Sequence, residues 1–242
     1  YSLPADVKTG NLTLRPYSIV SRLLYDKDTK KATGVEVIDS ETNEVIEFTS
    51  KIVFLCASAF GSTSILMRTA TDIWPEGLGS SSGALGHNVM DHHFRVGANG
   101  TMEGYEDKYY FGRRPNGVYI PRFRNIGDDK RDYLRGFGYQ GSASRSGWSR
   151  NVAEMNFGSP LKEALSEPGP WSMGITAFGE ILPYHENTIK LSKTVVDKWG
   201  LPALEMDAEI KENEKKMRVD MMNDAAEMLE ASGMKNVSTF DA

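Results

Sequence analysis

Along residues 11–58, apolar and polar positions alternate with the period of two that marks strands with one covered face. Leu12 and Leu14 alternate with Thr13 and Arg15 until Pro16 ends the run. Residues 18–25 are apolar and β-compatible, and the charged run Asp26-Lys27-Asp28-Thr29-Lys30-Lys31 turns the chain. Residues 34–38 and 44–48 alternate again, with 39–43 between them as a hairpin loop. Residues 51–57 then form a continuous apolar run, the pattern of a strand buried on both faces of a parallel sheet. Helical spacing follows at 62–70. The pattern predicts a strand, a three-stranded meander, a buried strand and a helix.

Residues 72–86 are rich in Gly, Ser and Pro and mark a boundary, dividing the chain into residues 1–80 and 81–242. Beyond it, short alternating runs at 94–96, 109–111, 118–121, 133–139, 171–178 and 188–191 predict a mostly antiparallel sheet. Residues 158–167 predict a short helix on Pro160. The clearest helix starts from Asp207 as its cap and runs to Gly233. Ile210, Met217, Met221, Ala225, Met228 and Leu229 recur on one of its faces. That methionine-rich stripe is expected to pack in a core. The expected class is therefore α+β: an α/β part with a meander, then an antiparallel sheet with helices.

Composition narrows the function. The net charge of -5 repels phosphates and argues against nucleic acid as a partner. A single cysteine, Cys56, excludes an internal disulfide and a multi-thiolate metal site, and its apolar surroundings predict a small buried hydrophobe. No run is long enough for a membrane helix, and no signal segment opens the chain, so a cytoplasmic location is expected. The sequence begins at Tyr1 and is expected to be an internal piece of a longer protein. Sequons at Asn11 and Asn236 carry little weight without a secretion signal.

Three motifs match a pattern but lack its setting. Gly136-Phe137-Gly138-Tyr139-Gln140-Gly141 has dinucleotide-fingerprint spacing, yet Arg131-Asp132-Tyr133-Leu134-Arg135 before it is no buried strand and Ser142-Ala143-Ser144-Arg145 after it no helix start. It reads as a Gly-rich strand or loop. Gly79-Ser80-Ser81-Ser82-Gly83 lacks the strand that a nucleophile elbow needs. His87, His92 and His93 cluster around Asp91, but adjacent histidines rarely converge, and no metal site is expected.

Several segments, in order, resemble the glucose-methanol-choline (GMC) oxidoreductases. They are Asn11-Leu12-Thr13-Leu14 with Ile19-Val20, Lys31-Ala32-Thr33-Gly34-Val35-Glu36-Val37, and the run from Ile52 through Ala57-Ser58-Ala59-Phe60-Gly61-Ser62. Leu85-Gly86-His87-Asn88-Val89-Met90-Asp91-His92, then Gly179-Glu180-Ile181-Leu182-Pro183, Asn187-Thr188-Ile189-Lys190-Leu191 and Asp197-Lys198-Trp199-Gly200-Leu201-Pro202, continue the likeness. One departure stands out: the family has Gly where this chain has Ser58.

The resemblance implies FAD as cofactor, a partial FAD-binding domain over 1–80 and a partial substrate domain over 81–242. It implies that the backbone of Val20 meets the adenine, and that Ala57 and Ser58 lie by the cofactor at a strand's carboxyl end. Asn88, Asp91 and His92 would run close to the flavin where the chain crosses between domains. The antiparallel sheet would wall the substrate cavity, with Tyr139, Trp148 and Trp171 as candidate lining. The family's phosphate-binding turn and catalytic histidine have no counterpart here, so no catalytic residue is assigned to this chain, and the piece alone is expected to hold no FAD and to be inactive. The whole protein would oxidise an alcohol or sugar by hydride transfer to the flavin. Another two-domain flavoprotein class and a non-catalytic binding module fit the same residues. Substrate, electron acceptor and oligomeric state are not legible.

Overall fold

A computed structural model describes residues 2–93, 95–105, 107, 117–145, 158–166 and 169–242. The class is α+β, and the chain forms two compact units. The first comprises residues 1–89 and 183–208, the second 90–182 and 209–242.

In the first unit a short helix, α1 (Ser2–Lys8), precedes the meander β1 (Ser18–Asp26), β2 (Lys31–Asp39) and β3 (Val45–Thr49), antiparallel in that order. The turns form where their side chains cap them. Asp26 accepts from the Asp28 N–H at 2.9 Å, and Asp39 accepts from Glu41 and Thr42 at 2.9 and 3.0 Å. The Thr29 hydroxyl, which donates to Asp26 at 2.8 Å, and then these backbone bonds hold Asp26 below the usual carboxylate range, and the backbone bonds to Asp39 do the same there. Helix α2 (Ser58–Arg68) closes over the outer edge of β1. Arg68 donates to the carbonyls of Ser21 (2.6 Å) and Val20 (3.2 Å), and Thr69 Oγ1 accepts the Leu23 N–H at 2.9 Å. An otherwise open edge is thereby satisfied. The hairpin of β8 (Thr188–Val196) and β9 (Pro202–Asp207) also belongs to this unit and packs on α2.

The second unit is a five-stranded antiparallel sheet. Its strands are β4 (Val96–Met102), β5 (Gly117–Ile120), β6 (Phe137–Arg145), β7 (Trp171–Gly179) and β10 (Lys235–Asp241), in the order β10-β4-β7-β6-β5. Helix α3 (Ser159–Ser166) lies between β6 and β7 in sequence, and α4 (Glu212–Ala231) packs on one sheet face. There Met217, Met221, Ala225 and Leu229 meet Val96, Ala98, Phe137, Tyr139, Ile175 and Ala177 in a dry core. The Tyr139 hydroxyl donates to the Met221 carbonyl at 2.8 Å, and burial pushes its pKa up. The start of α4 is satisfied by Glu214, wholly buried, which accepts the Lys211 N–H at 2.9 Å and the Leu182 N–H at 3.1 Å. Arg124 pairs with Asp224 on α4, its Nε 2.8 Å from the carboxylate.

Several expectations need correction. Residues 52–57 form no strand: no neighbouring strand among the described residues pairs with them, and Ile52 and Phe54 are 67% and 83% exposed. Cys56 is accordingly exposed rather than buried. Residues 11–16 form no strand, and the ladder starts only at Ser18. Asp207 ends β9 rather than capping the helix, which begins after Lys211. The run at 188–191 pairs with β9 in its own two-stranded sheet and does not join the five-stranded one. In the run at 133–139, the ladder begins at Phe137. The expected strand at 109–111, Phe94, Trp148 and the end of the 158–167 helix lie outside the described residues.

Candidate functional site

In the first unit the sequence-predicted residues fall at two places. Val20 sits in β1 opposite Val37, and its carbonyl already holds Arg68. Ala57 and Ser58 make the turn into α2. Ser58 holds φ +63, the left-handed region that favours glycine. The chain thus keeps a glycine-type turn with a side chain added. The turn is laced by its own serines: the Ala57 N–H donates to Ser62 Oγ at 3.3 Å, and Ser62 Oγ to the Leu55 carbonyl at 3.4 Å. The N-cap Ala57 makes no side-chain bond, Ser58 Oγ accepts the Gly61 N–H at 3.5 Å, and Ala57, Ser58, Ala59 and Phe60 are exposed. An exposed, uncapped helix start bordered by small residues leaves N–H groups free for an acceptor atom and room for its approach.

Asn88 also adopts a left-handed φ of +58 in this unit, tolerated by its short polar side chain. Beside it, His87 stacks on His185 with ring centroids 4.0 Å apart, and His87 Nδ1 lies 2.7 Å from the His185 carbonyl.

Asp91 and His92 open the second unit. Asp91 accepts the His92 N–H at 2.7 Å, and its backbone carbonyl accepts from Ile181 at 3.0 Å; His92 forms a bridge with Glu180. Both are exposed, whereas His93 is buried at 2% exposure. Burial, then the nearby Arg218, holds the His93 imidazole below its usual range. Its Nδ1 lies 3.4 Å from Arg218 Nη1, Arg218 Nε donates to Asp241 at 2.8 Å, and Nε2 of His93 has no partner among the described residues. The histidines therefore occupy different surroundings: His87 stacked, His92 exposed, His93 buried. Among the described residues no group of three or more His, Cys, Asp or Glu side chains gathers to hold a metal.

The side of the five-stranded sheet away from α4 carries a different chemistry. Along β6, odd positions face the core, while Gln140, Ser142 and Ser144 are exposed. In β7 and β4, Ser172, Thr176 and Asn99 share that outer face. Register brings them into rows: Asn99, Gly174 and Ser142 lie opposite one another, as do Gly97, Thr176 and Gln140. The Asn99 amide lies over Gly174, where an added Cβ would come 2.4 Å from Asn99 Oδ1. A cavity of about 450 Å³ runs over these residues. Of the aromatics expected on this wall, Tyr139 is buried on the α4 side, and Trp171 has the same parity and donates to the Tyr105 carbonyl at 2.8 Å. Core packing, the default expectation for such aromatics, holds for Tyr139. The Gln-x-Ser-x-Ser alternation from Gln140 was the signal for the polar face.

The Gly136–Gly141 fingerprint lies at and within β6, an antiparallel strand that runs on to Arg145, so no helix starts at its last glycine. The Gly79–Gly83 match is a single turn between two left-handed glycines. Neither has the geometry its motif requires.

A meander edged by a turn-to-helix start, and an antiparallel sheet with one dry and one polar face, define a two-unit α+β chain. Residues 2–94 match the family described as GMC oxidoreductase. The chain is 32% identical over 193 residues to a 2-methyl-1,2-propanediol dehydrogenase of Mycolicibacterium austroafricanum, covering 76% of this chain and 34% of that protein. It is 27% identical to the fructose dehydrogenase large subunit of Gluconobacter japonicus (72% of this chain, 31% of that one) and 24% identical to the gluconate 2-dehydrogenase flavoprotein of Pantoea cypripedii (97% and 39%). The chain belongs to the GMC oxidoreductase family. It spans about a third of the length of these relatives. Among the described residues no helix is long and apolar enough to cross a membrane.

Proposed function

We propose that this chain is part of an FAD-dependent oxidoreductase that oxidises the CH–OH group of an alcohol or sugar. The observation that carries the reading is the Ser58 turn. A family whose members include a protein named as a flavoprotein supplies the expectation of FAD, and the exposed, uncapped start of α2 fits one of its edges. In this reading Val20 offers backbone groups to the adenine, and Ala57, Ser58 and Asn88 border the cofactor. FAD, when bound, supplies the acceptor for the hydride of the substrate's carbinol carbon.

This chain's own contribution is binding and orientation. The polar face of the five-stranded sheet takes the substrate hydroxyls, holding the alcohol so that few orientations remain to be lost at reaction. The proton of the reacting hydroxyl is not assigned to a residue of this chain. Nor does any glycine-rich turn between a strand and a helix appear among the described residues, so the 242-residue chain by itself is expected to retain no flavin after gel filtration. The relatives act on a diol, a ketose and a sugar acid by name, which supports a small hydroxylated substrate.

The test is anaerobic addition of simple alcohols, alditols and sugars to the product of the natural gene purified with its flavin. Bleaching of the visible flavin band by at least one of these classes is expected. A purified protein without flavin, or a flavin that none of them reduces, would refute the proposal.

A further inference from the structure

We propose that the polar face of the five-stranded sheet selects a substrate bearing a carboxylate as well as hydroxyls, a sugar acid, with Arg122 and Arg135 taking the carboxylate. This rests on the reading of that face as the substrate wall and narrows it to one chemical class.

Two cavities meet on this face. The one of about 450 Å³ is lined by Asn99, Gln140, Ser142 and Thr176 among others, all neutral donors or acceptors. None of these four side chains makes a hydrogen bond with a described residue, so their capacity is unspent. An ordinary solvated sheet face carries charged side chains, whereas here the inner rows carry amides, hydroxyls and glycines. The second cavity, of about 420 Å³, adjoins it through Gln140, which lines both, and brings in Arg122, Arg135 and His92.

The arginines there are unlike their neighbours. Arg124 and Arg131 are paired, with Asp224 and Asp129 respectively. Arg122 and Arg135 have no carboxylate partner among the described residues. Arg122 is nevertheless fixed: Nε donates to the Arg124 carbonyl at 3.0 Å, and Nη2 to the Asn125 carbonyl at 2.6 Å. Its guanidinium lies against Gly136, where an added Cβ would stand 2.6 Å from Nε. A guanidinium held by two carbonyls keeps further N–H groups for a ligand and has already lost its rotamer freedom. Among the described residues Glu180 is the one carboxylate lining this cavity, so the two arginines leave it cationic. Successive outward positions of one strand stand about 7 Å apart, so Gly138 to Ser142 spans about 13 Å. A short carbon chain can therefore set its carboxylate at the arginines and its hydroxyls along Gln140, Thr176, Asn99 and Ser142.

The experiment compares an aldonic acid with the alditol of equal carbon number as substrates of the flavin-loaded natural gene product. The acid is expected to have the higher kcat/KM by about tenfold or more. In the Arg122→Ala, Arg135→Ala double variant, KM for the acid rises about tenfold or more while the alditol changes less than about twofold, and the Arg→Lys double variant keeps most of the preference. Gln140→Ala and Asn99→Ala raise KM for both substrates. If these two leave both KM values unchanged, the substrate-wall reading itself is wrong. If they act but the wild type shows no preference for the acid, or the arginine double variant weakens both substrates equally, the wall stands and the sugar-acid inference is overturned. Should neither compound be turned over, NMR of the 242-residue chain decides. The Arg122 Nε–H resonance must shift with the aldonate and not with the alditol at matched ionic strength, and an unmoved signal overturns the inference.

Discussion

Replacing Ser58 with glycine should stabilise the chain, because the turn into α2 already has the backbone of a glycine. Ser58 sits at φ +63, where a Cβ crowds the following carbonyl at a cost of roughly 1–2 kcal/mol. Two terms oppose the gain. Ser58 Oγ accepts the Gly61 N–H, but at 3.5 Å on an exposed turn this bond contributes little. Glycine also gives the unfolded chain more freedom, worth about 0.5–1 kcal/mol against it. The net expectation is a gain of roughly 0.5 kcal/mol, or about 0.2–0.5 M in urea midpoint at unchanged m. Ser58→Ala separates the terms: it keeps the crowding and loses Oγ, so it should be neutral to about 0.5 kcal/mol destabilised. Urea unfolding followed by circular dichroism of all three proteins is the assay. If Ser58→Gly loses stability while Ser58→Ala loses as much, the side-chain bond and not the left-handed backbone governs this turn, and the glycine-type geometry argued for the cofactor edge is wrong.

Three further outcomes follow from the second unit. Met221→Ala, at a wholly buried position between α4 and the sheet, should cost about 2–5 kcal/mol in denaturant unfolding. Asp224→Ala strips Arg124 of its buried partner and should lower the thermal midpoint more than Asp132→Ala, whose partner Lys216 is exposed. His93 has a folded pKa below its ordinary value of 6.5, so it is neutral in the fold while the unfolded chain takes up the proton. Stability should therefore fall as pH drops through about 6.5 until the folded pKa is reached, and His93→Gln should flatten that part of a melting-temperature profile. A wild-type profile flat over this window would contradict the buried placement of His93.

Local pattern carried the parts of the fold where burial and periodicity agree. The meander and the Met217–Met221–Ala225–Leu229 stripe were legible because one face of each is covered within the chain. Residues 52–57 misled for the converse reason: an apolar run states that a strand would be buried, not that a strand stands beside it. Asp207 has the chemistry of a cap, but the β8–β9 ladder claims it. The polar face was hidden by attention to large aromatics, since Tyr139 and Gln140 are adjacent in sequence and on opposite sides of the sheet. Arg122 and Arg135 could not be told from Arg124 and Arg131 without Asp224 and Asp220, which long-range folding brings to the latter pair.

The central claim is that the protein moves a hydride from a substrate's carbinol carbon to its flavin, and single-turnover reduction tests it most directly. The flavin-loaded natural gene product is mixed anaerobically with its best substrate, unlabelled or deuterated at the carbinol carbon, and the flavin band is followed. Cleavage of that C–H bond predicts reduction slowed by about threefold or more on deuteration, with ΔΔG‡ near 0.65 kcal/mol. Identical reduction rates for the two isotopologues, or no substrate-driven reduction at all, would contradict the account.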